Sequence, residues 1–219
     1  PGHHARPAHA MGFCLINNVA VAAAEARARG VERVAIVDFD VHHGNGTQEM
    51  FWRDPHVLYV SLHQFPFYPG TGALEDVGEG EGRGFTVNVP LAAGGGDAVY
   101  RAAFDRIVSP VLEAYAPELV LVSAGFDAAE RDPLAEMHLT PRGYGYMTQR
   151  LAEQATKSAG GRIALVLEGG YDLRALESGL DESMAAVFEH RKYDDVPSAP
   201  DSPDVERAAR AASADWKVS

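Results

Sequence analysis

Three runs of consecutive apolar, largely β-branched residues each give way at once to polar residues and glycine: Val34-Ala35-Ile36-Val37, Leu119-Val120-Leu121-Val122 and Ile163-Ala164-Leu165-Val166-Leu167. A strand that is apolar at every position has no solvent side, so runs of this kind predict strands buried on both faces, as in a parallel sheet covered by helices. Val57 to Leu62 and Phe85 to Val89 are further strand candidates. Helical stretches alternate with them. Asn17 and Asn18 can cap an Ala-rich helix that Gly30 stops, Asp97 can cap one running through Tyr100, Phe104, Ile107 and Leu112, and Thr140-Pro141 starts another that ends near Gly160-Gly161. This alternation predicts an α/β fold: a doubly wound, mostly parallel sheet flanked by helices.

With 219 residues, 46% of them hydrophobic, the chain has material for one globular domain. Residues 1–190 are read as that domain, and 191–219, richer in Asp, Pro and Ser, as a polar linker followed by a short helix around Val205 to Trp216. The net charge of -12 argues against direct binding to nucleic acid. No apolar run reaches transmembrane length, and Cys14 has no cysteine to pair with, so a cytoplasmic location without membrane contact is expected. Gly78, Gly80, Gly82 and Gly84 do not make a phosphate loop, because Glu79 and Glu81 between them would repel phosphate.

The polar residues after the strands carry the chemistry. The first run ends in Asp38-Phe39-Asp40-Val41-His42-His43-Gly44-Asn45, the second in Ser123-Ala124-Gly125-Phe126-Asp127, and the third in Glu168-Gly169-Gly170-Tyr171. Ligands of open parallel sheets bind beyond the carboxyl ends of the strands, so the three clusters are expected to converge. Read as extended chain, Asp38, Asp40 and His42 face one way. Carboxylates crowded there need a cation, and Asp127 from a neighbouring strand would complete three protein ligands with a position left for water, the pattern of a catalytic metal site. Zinc, iron(II) and cobalt all suit such mixed nitrogen and oxygen donors. Two aspartates cancel the charge of a divalent ion, so a separate base is expected. His3 and His4 are the candidates, with Asp38 and Asn45 to orient them, and Tyr171 can meet a developing oxyanion.

In these residues the chain resembles the histone deacetylase and acetylpolyamine amidohydrolase family up to about Glu189. The resemblance rests on Pro1-Gly2-His3-His4-Ala5, Gly12-Phe13-Cys14, Asp38 to Gln48, Ser61-Leu62-His63, Pro69-Gly70-Thr71-Gly72, Ser123 to Pro133 and Glu168-Gly169-Gly170-Tyr171. Asn45 and the Leu-Glu-Gly-Gly-Tyr spelling resemble its class II and bacterial branch. The resemblance implies an arginase/deacetylase-like fold and a metal-dependent amidohydrolase that acts on acetyl-lysine peptides or acetylpolyamines. It implies that Asp40, His42 and Asp127 bind zinc and that His3 and His4 act as the acid and base pair. Asp38 would orient His3 and, with Ser61, Leu62 and the backbone of Asp40 and His42, hold a structural potassium ion. Asn45 stands where other branches carry Asp, so His4 should be held less strongly as a cation. Gly12, Phe13, Tyr68, Leu134, Gly169 and Gly170 would meet substrate, Tyr68 replacing the more usual Phe. Family members carry a further N-terminal segment, so the sequence is expected to be truncated there. A non-catalytic metal- or acyl-binding remnant and an arginase-like dimanganese hydrolase are the alternative readings, and a homo-oligomer is compatible with either.

Overall fold

A computed structural model describes residues 1–218. Five parallel strands form one sheet: β1 (Val34–Asp38), β2 (Val57–Gln64), β3 (Thr86–Leu91), β4 (Leu119–Ala124) and β5 (Ile163–Leu167), in the spatial order β3-β2-β1-β4-β5. The first strand in sequence is therefore central, and the chain winds outward from it in both directions. The β1 residues pair with β2 from Val34↔Val57 to Asp38↔Ser61 and with β4 from Val34↔Leu119 to Asp38↔Ser123. This register brings Asp38, Ser61 and Ser123 side by side at one end.

Alternation along the strands divides the core. Ala35, Val37, Leu58, Val60, Val120 and Val122 face the larger apolar layer, which holds Tyr100, Phe104, Ile107 and Leu151. Val34, Ile36, Val57, Tyr59 and Leu121 pack on the opposite face with Val19 and Ala23 of α1 (Asn18–Ala28). Asn17 caps α1 by accepting the amide of Ala20 at 3.0 Å, and the helix ends just before Gly30, as its sequence predicts. The remaining helices are α2 (Asn45–Phe51), α3 (Asp97–Ala103), α4 (Ser109–Tyr115), α5 (Pro141–Ser158), α6 (Leu173–Phe188) and α7 (Pro203–Ala212). None of the helices among the described residues is long and apolar enough to cross a membrane.

Several sequence expectations change in detail. The expected single helix through Tyr100 and Leu112 is interrupted by a π turn over Phe104–Val108, just ahead of Pro110, which lacks the N–H that would have paired with the Arg106 carbonyl. Gly96, not Asp97, occupies the cap position of α3. The Asp97 carboxylate instead accepts the backbone N–H of Thr140 at 2.8 Å and its hydroxyl at 2.6 Å, tying the start of α3 to the start of α5. The β5 run is apolar throughout, yet the strand lies at the sheet edge with Ala164 and Leu167 exposed, whereas β3 at the other edge is almost wholly buried, so the faces of β5 are less covered. Beyond α6 the polar segment is held more firmly than its composition suggests. Tyr193 is buried, its N–H donates to Gln149 at 2.7 Å and its hydroxyl to the Glu182 carbonyl at 2.9 Å, while Trp216 after α7 donates its indole N–H to Gly84 at 2.7 Å.

Candidate active site

Most polar groups of the site stand at or just beyond the carboxyl ends of β1, β4 and β5, or on the N-terminal loop laid across them, with Tyr59 and Ser61 on β2 and Tyr68 on the loop after it. Strand β1 stops at Asp38 and the chain then bends, so Asp38 does not share a face with Asp40 and His42 as an extended reading would have it. Asp38 turns toward the N-terminal loop: its Oδ2 accepts from His3 Nδ1 at 2.9 Å and from the Tyr59 hydroxyl at 3.0 Å. Asp40 and His42 instead meet Asp127, which arrives from the end of β4. His42 Nδ1 lies 3.0 Å from Asp40 Oδ1 and 3.1 Å from Asp127 Oδ2. One ligand atom from each of the three residues falls within 4.8 Å of the others.

Backbone amides fix this triad. Asp127 Oδ1 accepts from Val41 at 2.9 Å, and Asp40 Oδ2 accepts from Gly169 at 2.8 Å. Gly125 lies against Asp40 and Gly169 against Asp127, so closely that a Cβ at either position would overlap the carboxylate. Burial and the neighbouring Asp40 push the Asp127 carboxyl up. Burial opposes charge on His42, yet its hydrogen bonds to Asp127 and Asp40 outweigh this and raise its pKa to about 9. Two almost wholly buried carboxylates thus favour positive charge at one point between them. One nitrogen and two oxygen donors fit a divalent ion of the zinc type.

The adjacent histidines stack with ring centroids 4.1 Å apart. Burial disfavours the imidazolium of His3, but Asp38, Asp40 and Glu168 together hold its pKa well above the ordinary value. His4 is the reverse: burial first, and then the charge on His3, lower it to about 4. Its Nδ1 lies 2.9 Å from Asn45 Oδ1, so the neutral ring donates there and keeps a lone pair on Nε2.

Beside the triad opens a cavity of about 560 Å³, lined by His4, Gly12, Phe13, His42, Tyr68, Leu134 and Tyr171 together with Phe67. Phe13 and Gly12 both have positive φ, and a Cβ at Gly12 would run into the His4 ring. Tyr68 stands edge-on to His4 at 5.2 Å. Tyr171 is 40% exposed at the mouth. Burial, followed by the charges of Asp127 and Asp40, raises its hydroxyl to about 12, so the group stays a donor. Gly169 and Gly170 do not line this cavity. Gly169 lies behind it against the triad, and Gly170 lies near Leu176 and Phe126 with φ of 140°. Ser61, opposite Asp38 in the sheet, is buried with its hydroxyl 3.0 Å from His63 Nδ1, and Leu62 beside it is buried in the larger layer.

Two participants escape a reading of the sequence. Phe67 stacks on His42 with centroids 5.3 Å apart and the rings 20° from parallel, and nothing in its Phe-Pro-Phe-Tyr-Pro surroundings signals that contact. Glu168 is visible as a polar residue at the end of β5, but its partners are not. It accepts the backbone N–H groups of Gly2 and of His3, the latter at 3.1 Å, and the Ser123 hydroxyl at 3.0 Å, which anchors the histidine loop to the sheet.

Comparison with known proteins shows the family and the fold. Residues 1–187 match the family model described as the histone deacetylase domain. The chain is 48% identical over 203 residues to histone deacetylase 15 of Arabidopsis thaliana, covering 91% of this chain and 36% of that protein. It is 53% identical over 175 residues to a histone deacetylase-like amidohydrolase of Pseudomonas aeruginosa, covering 78% of this chain and 46% of the relative. The crystal structure of the HDA15 HD domain superposes with a TM-score of 0.90 at 45% identity, covering 99% of this chain and 60% of that one. The chain spans less than half the length of these two curated relatives. Its sheet of parallel strands flanked by helices is the arginase/deacetylase fold, and the chain belongs to the histone deacetylase domain family.

Proposed function

We propose that this site hydrolyses N-acetyl amides, of acetylated lysine in peptides or of acetylpolyamines, with zinc held by Asp40, His42 and Asp127. The observation that carries the proposal is the convergence of one nitrogen and two buried carboxylate donors beside a neutral histidine and a protonated tyrosine at a single cavity. Bound zinc would supply Lewis acidity toward the acyl carbonyl and the attacking water. His4, neutral and oriented by Asn45, takes a proton from water through Nε2 as the water oxygen adds to the carbonyl carbon. The charged His3, fixed by Asp38, and the Tyr171 hydroxyl offset the negative charge that develops on the carbonyl oxygen. When the C–N bond breaks, the proton on His4 passes to the departing nitrogen, giving acetate and a free amine. Gly12, Phe13, Tyr68 and Leu134 would enclose the apolar stem of the substrate, with Phe67 completing the wall.

Iron(II) or cobalt would suit the same donors. Asp38 and Ser61, adjacent in the sheet, are proposed to hold potassium with Leu62 and the backbone of Asp40 and His42. A lone buried thiol suits a reducing compartment, for which we propose the cytoplasm. Among the described residues Asp40, His42 and Asp127 form the one cluster of three or more potential metal-ligating groups. A two-metal arginase-like mechanism would need further carboxylates.

The test is hydrolysis of a fluorogenic acetyl-lysine peptide by the zinc-loaded chain, with the Asp127→Ala variant and a hydroxamate inhibitor alongside. Turnover that requires zinc and is abolished by both is the expected result. Stoichiometric zinc binding without turnover would favour a non-catalytic binding role, and a chain that binds no zinc would remove the metal assignment.

A further inference from the structure

Asp132 is 6% exposed, and its carboxylate accepts three hydrogen bonds, all from backbone amides. Oδ2 accepts from Tyr171 at 2.7 Å and from Asp172 at 3.2 Å, while Oδ1 accepts from Leu134 at 3.0 Å. The two loops so joined come from the ends of different strands, β4 and β5, and each brings one side chain to the cavity mouth, Leu134 from one and Tyr171 from the other. Next to the clamped amides the Asp172 carboxylate caps α6, accepting from Ala175 at 2.8 Å, so the tie also fixes the loop against the helix that follows. The Tyr171 ring itself has little to hold it: it is 40% exposed, and its one aromatic neighbour among the described residues is Phe13, at 6.5 Å and itself 82% exposed.

A hydroxyl that must meet a developing charge needs a backbone that does not wander. We propose that Asp132 is the positioning residue for Tyr171: through its backbone clamp it sets where the tyrosine hydroxyl stands, and it fixes Leu134 at the opposite rim by the same carboxylate. Asp132 neither lines the cavity nor belongs to the Asp40, His42 and Asp127 cluster, and acts only through the two loops. The inference rests on the proposed hydrolysis for its kinetic consequence, while the clamp itself is measurable without turnover.

The two oxygens have separable tasks. Asp132→Ala removes both. Asp132→Asn keeps one carbonyl oxygen, which still accepts from Tyr171 and Asp172, and replaces the other by an amide group that cannot accept from Leu134. The experiment compares the zinc-loaded full chain, both Asp132 variants, Tyr171→Phe and the Asp132→Ala/Tyr171→Phe double variant. It follows hydrolysis of an acetyl-lysine peptide together with amide hydrogen exchange. In Asp132→Ala kcat is expected to fall by about a hundredfold, the cost of misplacing a reacting group by an ångström, with KM moving far less. The same substitution in the Tyr171→Phe background is expected to add little, because the group it positions is already gone. Asp132→Asn is expected to restore most of kcat and to raise KM through the released rim. Exchange should quicken at residues 171 and 172 and at 134 in the alanine variant, but only at 134 in the asparagine variant.

Wild-type kcat in Asp132→Ala, or an equal fall in both tyrosine backgrounds, overturns the proposal. Unchanged exchange at residues 171 and 172 in Asp132→Ala overturns it as well. If even the wild-type chain fails to turn over, the hydrolase reading falls while exchange still decides the clamp. If Asp132→Ala loses protection throughout the sheet, Asp132→Asn decides: exchange quickened at both loops alike, or at neither, overturns the assignment.

Discussion

His3 and His4 are neighbours in sequence and opposites in charge because of what each one touches. His3 faces Asp38 and Asp40, whereas His4 faces a neutral carboxamide and the charge of His3 itself. In the proposed mechanism Asn45 therefore sets the base. Replacing it with Asp puts a carboxylate 2.9 Å from His4 Nδ1 and stabilises the imidazolium, raising a pKa now lowered to about 4. A base is lost as the pH falls through its own pKa, so the acid limb of the kcat/KM profile of Asn45→Asp should move upward by about one to two pH units. A profile that superposes on wild type would remove His4 from the role of base. At this scale the sequence is informative where a residue type is itself the signal, as with Asp40, His42 and Asp127. It does not give the partners of Glu168, Asp132 and Phe67, most of which lie far away in the chain, and an acid such as Asp132 that binds only backbone amides leaves no pattern in side-chain identities.

Strands were legible to within a few residues because a buried parallel strand is apolar along most of its length, as β1, β4 and the first part of β2 are. The same rule over-reads β5, since an apolar run does not say whether both faces of the strand are covered. Helix starts were legible at Asn17 and Thr140, but not at Asp97, whose carboxylate is engaged by Thr140 forty-three residues away. The loop after β2, which carries Phe67 and Tyr68, is tied back by His63: its ring accepts from Ser61 at Nδ1 and donates from Nε2 to the Gly72 carbonyl, both at 3.0 Å. Burial lowers His63 to about 4. Above its ordinary pKa of 6.5 the ring is neutral in both folded and unfolded chains, so its packing contributes fully. Below 6.5 only the unfolded chain takes up the proton, and that stability is lost progressively as the pH falls toward 4. Relative to His63→Gln, the wild-type chain should lose about 2 kcal/mol between pH 6.5 and 5, at about 1.4 kcal/mol per unit. Urea midpoints of the two proteins across that range measure it, and a constant difference would contradict the buried neutral ring.

At the scale of the molecule, the sheet gathers negative charge where its strands end. A chain of net charge -12 places Asp38, Asp40, Asp127 and Glu168 together at the carboxyl ends, each 4% exposed or less. The fold alone favours only part of that concentration: His3 and His42 hold the Asp40 carboxyl below its ordinary value, whereas burial raises Asp38 and Asp127. Burial and Asp40 raise the Asp127 carboxyl, and a carboxyl raised in the folded state weakens folding at every pH above its ordinary value. A bound metal would reverse the sign: a ligand bound only by the folded chain stabilises it by about 4 kcal/mol at a thousandfold excess over its Kd. Asp127→Asn should therefore act in opposite directions with and without zinc. Stripped by chelator, the variant should match or exceed wild type by about 1 kcal/mol, because removing the charge that repels Asp40 outweighs the acceptor lost to His42 Nδ1, while the amide oxygen can still accept from Val41. With zinc in excess, wild type should gain several kcal/mol and the variant little, so the order of their urea midpoints should invert. Equal gains from zinc would take Asp127 out of the metal site. A variant several kcal/mol weaker than wild type in chelator would mean that the carboxylates are held by the protein's own hydrogen bonds, and that the fold does not depend on a cation to keep them together.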